Sequence, residues 1–153
     1  MLFRSVLQVA NAMSIIARDG IYKNPRLFIS DTDPLNEFQT DMDISKATLR
    51  TVRDGMYAVV NETGGTANTA FSKNDFDKKD IKIYGKTGST EKPYNAWFSG
   101  FAEDSSGRAI AFALLVKGGQ SGAGDAAPLA KDIIRICNEQ GYIGTAAVEK
   151  TEK

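Results

Sequence analysis

Apolar residues in the first segment fall at Val6, Val9, Met13 and Ile16, spaced 3, 4 and 3, which predicts an amphipathic helix from about Ser5 to Arg18 that stops at Gly20. From Ile21 to Asp43 the pattern breaks up around Pro25 and Pro34, and most of it reads as loop, with one short extended piece at Phe28 and Ile29. Ser45 then suits an N-cap. Leu49, Val52, Met56 and Val59 follow it at helical spacing, predicting a second helix that ends at Gly64-Gly65. The polar stretch from Asn61 to Asp80 reads as surface loop.

Three strand-like runs come next. Ile81–Thr87 alternates, Asn95–Ala102 is aromatic, and Ala109–Val116 is apolar on both faces, the pattern expected of a central strand. Turn residues Glu103 to Gly107 separate the last two, so consecutive antiparallel pairing is predicted. Gly118 to Gly122 reads as a flexible connection. Pro128 opens a third helix, ended by Gly141, whose stripe Leu129, Ile133 and Ile136 should pack on the sheet. Helices segregated from an antiparallel sheet give an α+β class. Three strands are few for 153 residues, so the sheet is expected to be part of a larger one. Residues 1–143 form one domain portion in this reading, and 144–153 a disordered tail.

Composition narrows the chemistry. Hydrophobic residues are 42% and charged ones 25%, ordinary for a globular chain. Lys plus Arg and Asp plus Glu are 19 each, giving zero net charge. No basic field is present to hold nucleic acid or an anionic membrane. The absence of histidine excludes a Ser–His–Asp or Cys–His mechanism built from this chain alone. No metal set and no cofactor motif is found. The single cysteine, Cys137, reads as a small buried hydrophobe. The acidic run Asp31 to Asp43 lacks calcium-loop spacing and reads as a solvated surface. The N-terminal segment is interrupted by Gln8 and Asn11, so it is no targeting segment.

Candidate chemistry concentrates at Tyr84-Gly85-Lys86-Thr87-Gly88-Ser89-Thr90. A Lys ammonium is a compact charge suited to a carboxylate or phosphate, Thr87 can donate to the same anion, and Gly88 permits close approach. The spacing is not that of a P-loop. Strand alternation puts Lys86 and Thr87 on opposite faces. Both meet one ligand only if the strand borders a cleft or is bent by the flanking glycines. Trp97 and Phe101 share a strand face and read as core rather than as a ligand platform.

In order along the chain, several blocks resemble the penicillin-binding proteins. Leu7 to Ala12 is similar to the family's helix downstream of its second motif. Val52-Arg53-Asp54-Gly55-Met56 with Gly65-Thr66-Ala67 is similar to the following segment. Lys86-Thr87-Gly88-Ser89-Thr90, Asn95 to Ala102, Ala111 to Val116 and Ala126 to Ala130 resemble the end of the class B, elongation-type transpeptidase domain. The likeness runs from Leu7 to about Tyr142. It implies the C-terminal portion of a serine acyltransferase that cross-links peptidoglycan stem peptides and is trapped by β-lactams.

In that resemblance Lys86, Thr87, Gly88 and Ser89 bind substrate. Lys86 and Thr87 hold the carboxylate of a D-Ala-D-Ala end or of penicillin, and the Ser89 N–H is one of two oxyanion donors. No catalytic nucleophile is assigned. Ser89-Thr90-Glu91-Lys92 fits Ser-x-x-Lys literally but follows a strand and precedes Pro93. Ser72-Lys73-Asn74 fits Ser-x-Asn but lies in a charged loop. The expected partners are a stem peptide or β-lactam and an N-terminal half of the same domain, with no nucleic acid and no membrane contact by this chain. The resemblance places it on the outer side of the cytoplasmic membrane. A chain that opens in mid-domain suggests a split frame, a truncated gene or one half of a two-chain protein. The competing expectations are a non-catalytic, sensor-like module that binds β-lactam or D-Ala-D-Ala reversibly, and an inert fragment. A serine β-lactamase is weaker, because no deacylating residue can be located.

Overall fold

Ser5 starts the first helix by a reciprocal cap: its Oγ accepts from the Gln8 N–H at 3.1 Å, and its own N–H donates to Gln8 Oε1 at 2.8 Å. In the computed structural model, which describes residues 5–26, 38–72 and 76–144, α1 spans Val6–Ala17 and gives way to Gly20 at φ +94°. Val6, Val9, Met13 and Ile16 are all half-buried, and this side lies on the sheet. Two short strands follow, β1 (Ile21–Lys23) and β2 (Gln39–Asp41), paired antiparallel from Ile21↔Asp41 to Lys23↔Gln39. The loop expected here therefore contains a ribbon. Three-residue strands offer too few alternating positions to register as a pattern. Phe28, Ile29, Asp31, Asp33, Pro34 and Glu37 lie outside the described residues, while Asp41 and Asp43 are exposed as expected.

Ser45 caps α2 (Lys46–Asn61), accepting from the Thr48 N–H at 3.1 Å. Its buried residues are Leu49, Met56 and Val60. The expected Val52 is 40% exposed and Val59 half-buried, because the inward stripe runs 49, 53, 56, 60 and has Arg53 in its middle. The segment expected as surface loop carries α3 (Asn68–Phe71) and a 3₁₀ turn at Asp77–Lys79. Ala67, Phe71 and Phe76 are buried there. Three anchors scattered among charges gave no period to detect. Lys73, Asn74 and Asp75 lie outside the described residues.

The main sheet is antiparallel in the order β3 (Ile81–Glu91), β4 (Tyr94–Asp104), β5 (Ala109–Lys117), with Gly85↔Gly100, Gly88↔Trp97 and Phe98↔Leu114 in register. The expected pairing holds, but β4 is the central strand and β5 is an edge. The two-sided apolarity of β5 reports two covered faces instead of two paired edges. Phe112 belongs to the main core, Ile110, Leu114 and Val116 pack against it, and β5 also meets α1. That core joins Ile81, Ile83, Phe98 and Phe112 to Val60, Phe71, Ala130 and Ile134.

The last helix, α4 (Ala127–Glu139), buries Ala127, Ala130, Ile134 and Asn138. The predicted stripe is turned outward: Leu129, Ile133 and Ile136 are 48%, 43% and 49% exposed. A shift of one residue rotates a helix by about 100°, and the two small alanines let α4 lie close on the sheet. The connection before it is also fixed. Gly122–Ala126 forms a π-helical turn, and Asp125 Oδ2 accepts from the Gln120 and Ser121 N–H groups at 2.8 and 2.9 Å. At the far end Ile143 and Gly144, the latter expected to begin the tail, are both buried. Residues 145–153 lie outside the described part.

Close backbone approach between strands rests on one glycine in particular. A Cβ at Gly100 would lie 1.9 Å from the Tyr84 carbonyl oxygen and 2.9 Å from Gly85 Cα, and neither can rotate away. Gly100→Ala is expected to destabilise the fold by about 2 kcal/mol, read as a lower urea midpoint with an unchanged slope.

Candidate functional site

An edge strand exposes residues from both of its faces along one border. This resolves the alternation problem at Lys86 and Thr87. Because β3 is an edge of the sheet, Lys86, Thr87 and Gly88 line one open cavity of about 340 Å³, together with Val9, Trp97 and Ser99. Lys86 is exposed, and its Nζ donates to the Thr87 carbonyl at 2.7 Å. An ammonium has three protons, so two are left for an anion. Gly88 sits against Trp97, whose Cβ would be 3.3 Å from an added Cβ.

Thr87 faces Thr66 of the Gly65-Thr66-Ala67 block. Its Oγ1 lies 2.8 Å from Thr66 Oγ1. The Thr66 loop is fixed on the end of α2: Ala67 N–H donates to Val59 O at 2.9 Å and Gly65 N–H to Glu62 O at 3.0 Å. A Cβ on Gly65 would meet Ala58 O at 2.3 Å. Only glycine permits that approach. The available signal was Gly64-Gly65-Thr66 itself, a glycine pair followed at once by a hydroxyl.

Trp97 also departs from expectation. Phe101 is fully buried as predicted, but Trp97 is half-buried and forms part of the cavity wall. A shared strand face runs from core to rim, and position along it decides burial. Ser89 is the fourth predicted residue. It follows the other three on β3 without lining the cavity, and its Oγ accepts from the Gly122 N–H at 3.1 Å. Ser89, Thr90 and Glu91 are extended strand, so no helical turn brings Lys92 back to the Ser89 hydroxyl. Ser72 ends α3, and its two partners in the literal Ser-x-Asn match lie outside the described residues.

Beneath the site, Arg53 joins several elements. Its Nη2 donates to both Glu103 carboxylate oxygens at 2.7 and 2.6 Å, and Nη1 donates to Ile16 O at 3.3 Å. The guanidinium lies 5.0 Å from the Tyr84 ring centre and 4.9 Å from that of Phe101. Tyr84 OH donates to Glu103 at 2.8 Å. Burial, followed by the bond to the Glu103 carboxylate, pushes the Tyr84 hydroxyl up to about 12. Burial alone would lower the Arg53 pKa, but the Glu103 bond and charge outweigh it and raise it. A second cavity of about 320 Å³ opens beside this network, lined by Asp19, Lys46, Arg50, Asp54 and Tyr84 among others. It offers charges of both signs and no hydroxyl pair like Thr66–Thr87. Among the described residues no group of three or more His, Cys, Asp or Glu could hold a metal ion, and no helix is long and apolar enough to cross a membrane.

Comparison with known proteins bears on the fold and the family. A family model described as penicillin binding protein transpeptidase domain matches residues 4–135. Among solved structures, Pseudomonas aeruginosa PBP2 in complex with WCK 5153 is similar at a TM-score of 0.65 and 23% identity, over 97% of this chain and 32% of that one. The D,D-transpeptidase domain of a peptidoglycan glycosyltransferase from Eggerthella lenta is similar at a TM-score of 0.60 and 24% identity, over 91% and 33%. The chain thus spans about a third of the length of these structures. No curated protein sequence matches it significantly.

Proposed function

The chain belongs to the penicillin-binding protein transpeptidase domain family, and from that premise we propose that it is the C-terminal part of a class B D,D-transpeptidase domain, supplying the site that holds the substrate carboxylate. The fold, helices on an antiparallel sheet, is a part of that domain's fold. The proposed extent is residues 1–143. The observation that carries the reading is the convergence of Lys86, Thr87 and Gly88 on one cavity at the sheet edge, with Thr66 on the Thr87 hydroxyl.

A ligand carboxylate placed there takes charge-assisted hydrogen bonds from the two unused Lys86 protons. Thr87 adds a third if Thr66 donates to its oxygen and leaves the Thr87 proton for the ligand. Val9 and Trp97 supply an apolar wall for the methyl groups of a D-Ala-D-Ala end. The Ser89 N–H serves as one oxyanion donor, the other coming from the nucleophile's own backbone. Acyl transfer needs a serine activated by a neighbouring base. No described helix carries Ser-x-x-Lys, so in this proposal the nucleophile comes from an N-terminal portion of the same domain. Stem peptides and β-lactams are the ligands, and the cell envelope outside the cytoplasmic membrane is the place of work. No metal or cofactor enters the chemistry.

Covalent labelling tests this directly. Incubated with a fluorescent penicillin and then denatured, the chain should retain no label. Supplied in trans, an N-terminal segment with a helical Ser-x-x-Lys should restore it. Reversible binding that no such segment converts into labelling would favour the sensor-like reading instead. Labelling of the isolated chain that Ser89→Ala abolishes would contradict the assignment and make Ser89 the nucleophile.

A further inference from the structure

Arg53 stands where the amphipathic pattern of α2 calls for an apolar side chain. Leu49, Met56 and Val60 are buried, and position 53 lies between them on the same stripe, four residues after the first and three before the second. Its side chain is 19% exposed and that of Glu103 23%. Withdrawing two charges from water costs several kcal/mol per ion, and an apolar pair of similar volume is frequently as stable or more so. Stability therefore does not account for a charge at this position. What the guanidinium does provide is direction. Its Nη2 donates to both carboxylate oxygens of Glu103 on β4, its Nη1 reaches the Ile16 carbonyl at the end of α1, and its central carbon lies about 5 Å from the ring centres of both Tyr84 on β3 and Phe101 on β4. A lysine ammonium cannot make both sets of bonds from two nitrogens held in one plane.

The strand so held is the one that carries the site. Tyr84 and Lys86 are two residues apart on one face of β3, opposite Phe101 and Ser99 of β4. At the other end of α2, Asn61 Nδ2 donates to Ile83 O at 2.9 Å, and the loop beyond it carries Thr66 to Thr87. The tie at Arg53 and the tie at Asn61 together fix how α2 lies along β3, and with it the spacing between Thr66 and Thr87. We propose that Arg53 is a positioning residue for the carboxylate site: its bonds to Glu103 and its contact with the Tyr84 ring set the pose of β3 from which Lys86 and Thr87 meet the ligand.

This rests on the carboxylate reading above, and the test separates the two. Arg53→Met combined with Glu103→Leu removes both charges together, so neither is left unpaired. That variant should melt within a few degrees of wild type. In it the ligand-free amide resonances of Lys86 and Thr87 should move, and the Kd for benzylpenicillin should weaken about tenfold. Arg53→Lys, which keeps the charge, should move the same resonances even if the double variant fails to fold. A folded variant with unmoved Lys86 and Thr87 resonances and unchanged affinity would overturn the proposal. Failure of the carboxylate reading looks different: Lys86→Ala would leave benzylpenicillin affinity unchanged, while the ligand-free resonances still decide the role of Arg53.

Discussion

Asp104→Asn should destabilise the protein by about 2 kcal/mol, the scale for weakening the hydrogen bonds to one buried charged group. The Asp104 side chain is 1% exposed. Its carboxylate accepts from the backbone N–H groups of Gly144 at 2.8 Å, Ser106 at 3.0 Å and Arg108 at 3.1 Å, and from Arg108 Nε at 3.0 Å. Arg108 in turn donates to Gly141 O and Gly144 O. One carboxylate thus binds the β4–β5 turn to the chain leaving α4. Burial alone would raise its pKa, but bonds from Ser106, Gly144 and Arg108 and the Arg108 charge outweigh it and lower the value from 3.8 to about 2. A carboxyl with a depressed folded pKa stabilises fully above its unfolded value and loses that contribution as pH falls through the folded one. Urea midpoints of the wild type should therefore drop between about pH 4 and pH 2. Part of that drop should vanish in Asp104→Asn, which starts lower and has no carboxyl to protonate. Equal pH slopes in the two proteins would remove Asp104 from the account.

The largest functional effect is expected at Lys86. At an exposed edge the Lys86 ammonium contributes in all about as much as one hydrogen bond to a charged partner, about 1.5–3 kcal/mol, so Lys86→Ala should weaken reversible benzylpenicillin binding by about 10- to 100-fold. The side chain is exposed and its bond is to the neighbouring carbonyl of Thr87, so the melting temperature should hardly change. A ligand lacking the carboxylate should bind wild type and Lys86→Ala equally weakly. Thr87→Val should cost less, since the ammonium remains.

The three strands of the main sheet were legible because β-branched alternation, aromatic runs and turn residues each act over a few positions, whereas the three-residue β1 and β2 were not. The three long helices were legible through Ser5, Ser45 and Pro128, and the single-turn α3 was not. Helix orientation was not. Val52 and Arg53 on α2, like Ile133 and Ile134 on α4, are neighbours in sequence, and which of each pair faces inward depends on how the helix meets the sheet. Arg53 misled in particular, because a cation on an inward stripe makes sense only once Glu103, Tyr84 and Phe101 are seen around it. At the site, Lys86, Thr87 and Gly88 could be named from one short motif. Thr66 could not, since its contact with Thr87 spans 21 residues and depends on Gly65 packing against the last turn of α2. Trp97 was misjudged for a related reason: alternation tells which face a residue occupies, not how far along the sheet the core extends.

Carboxylate binding at the Lys86 end of β3 is read by titrating the ¹⁵N-labelled chain with benzylpenicillin and following each amide and the Trp97 indole. The largest shifts should fall on Thr66, Lys86, Thr87, Gly88 and Ser89 and on the Trp97 indole, and they should disappear in Lys86→Ala. Shifts centred instead on Asp19, Lys46 and Arg50, around the second cavity, would contradict it, as would a spectrum that the ligand leaves unchanged.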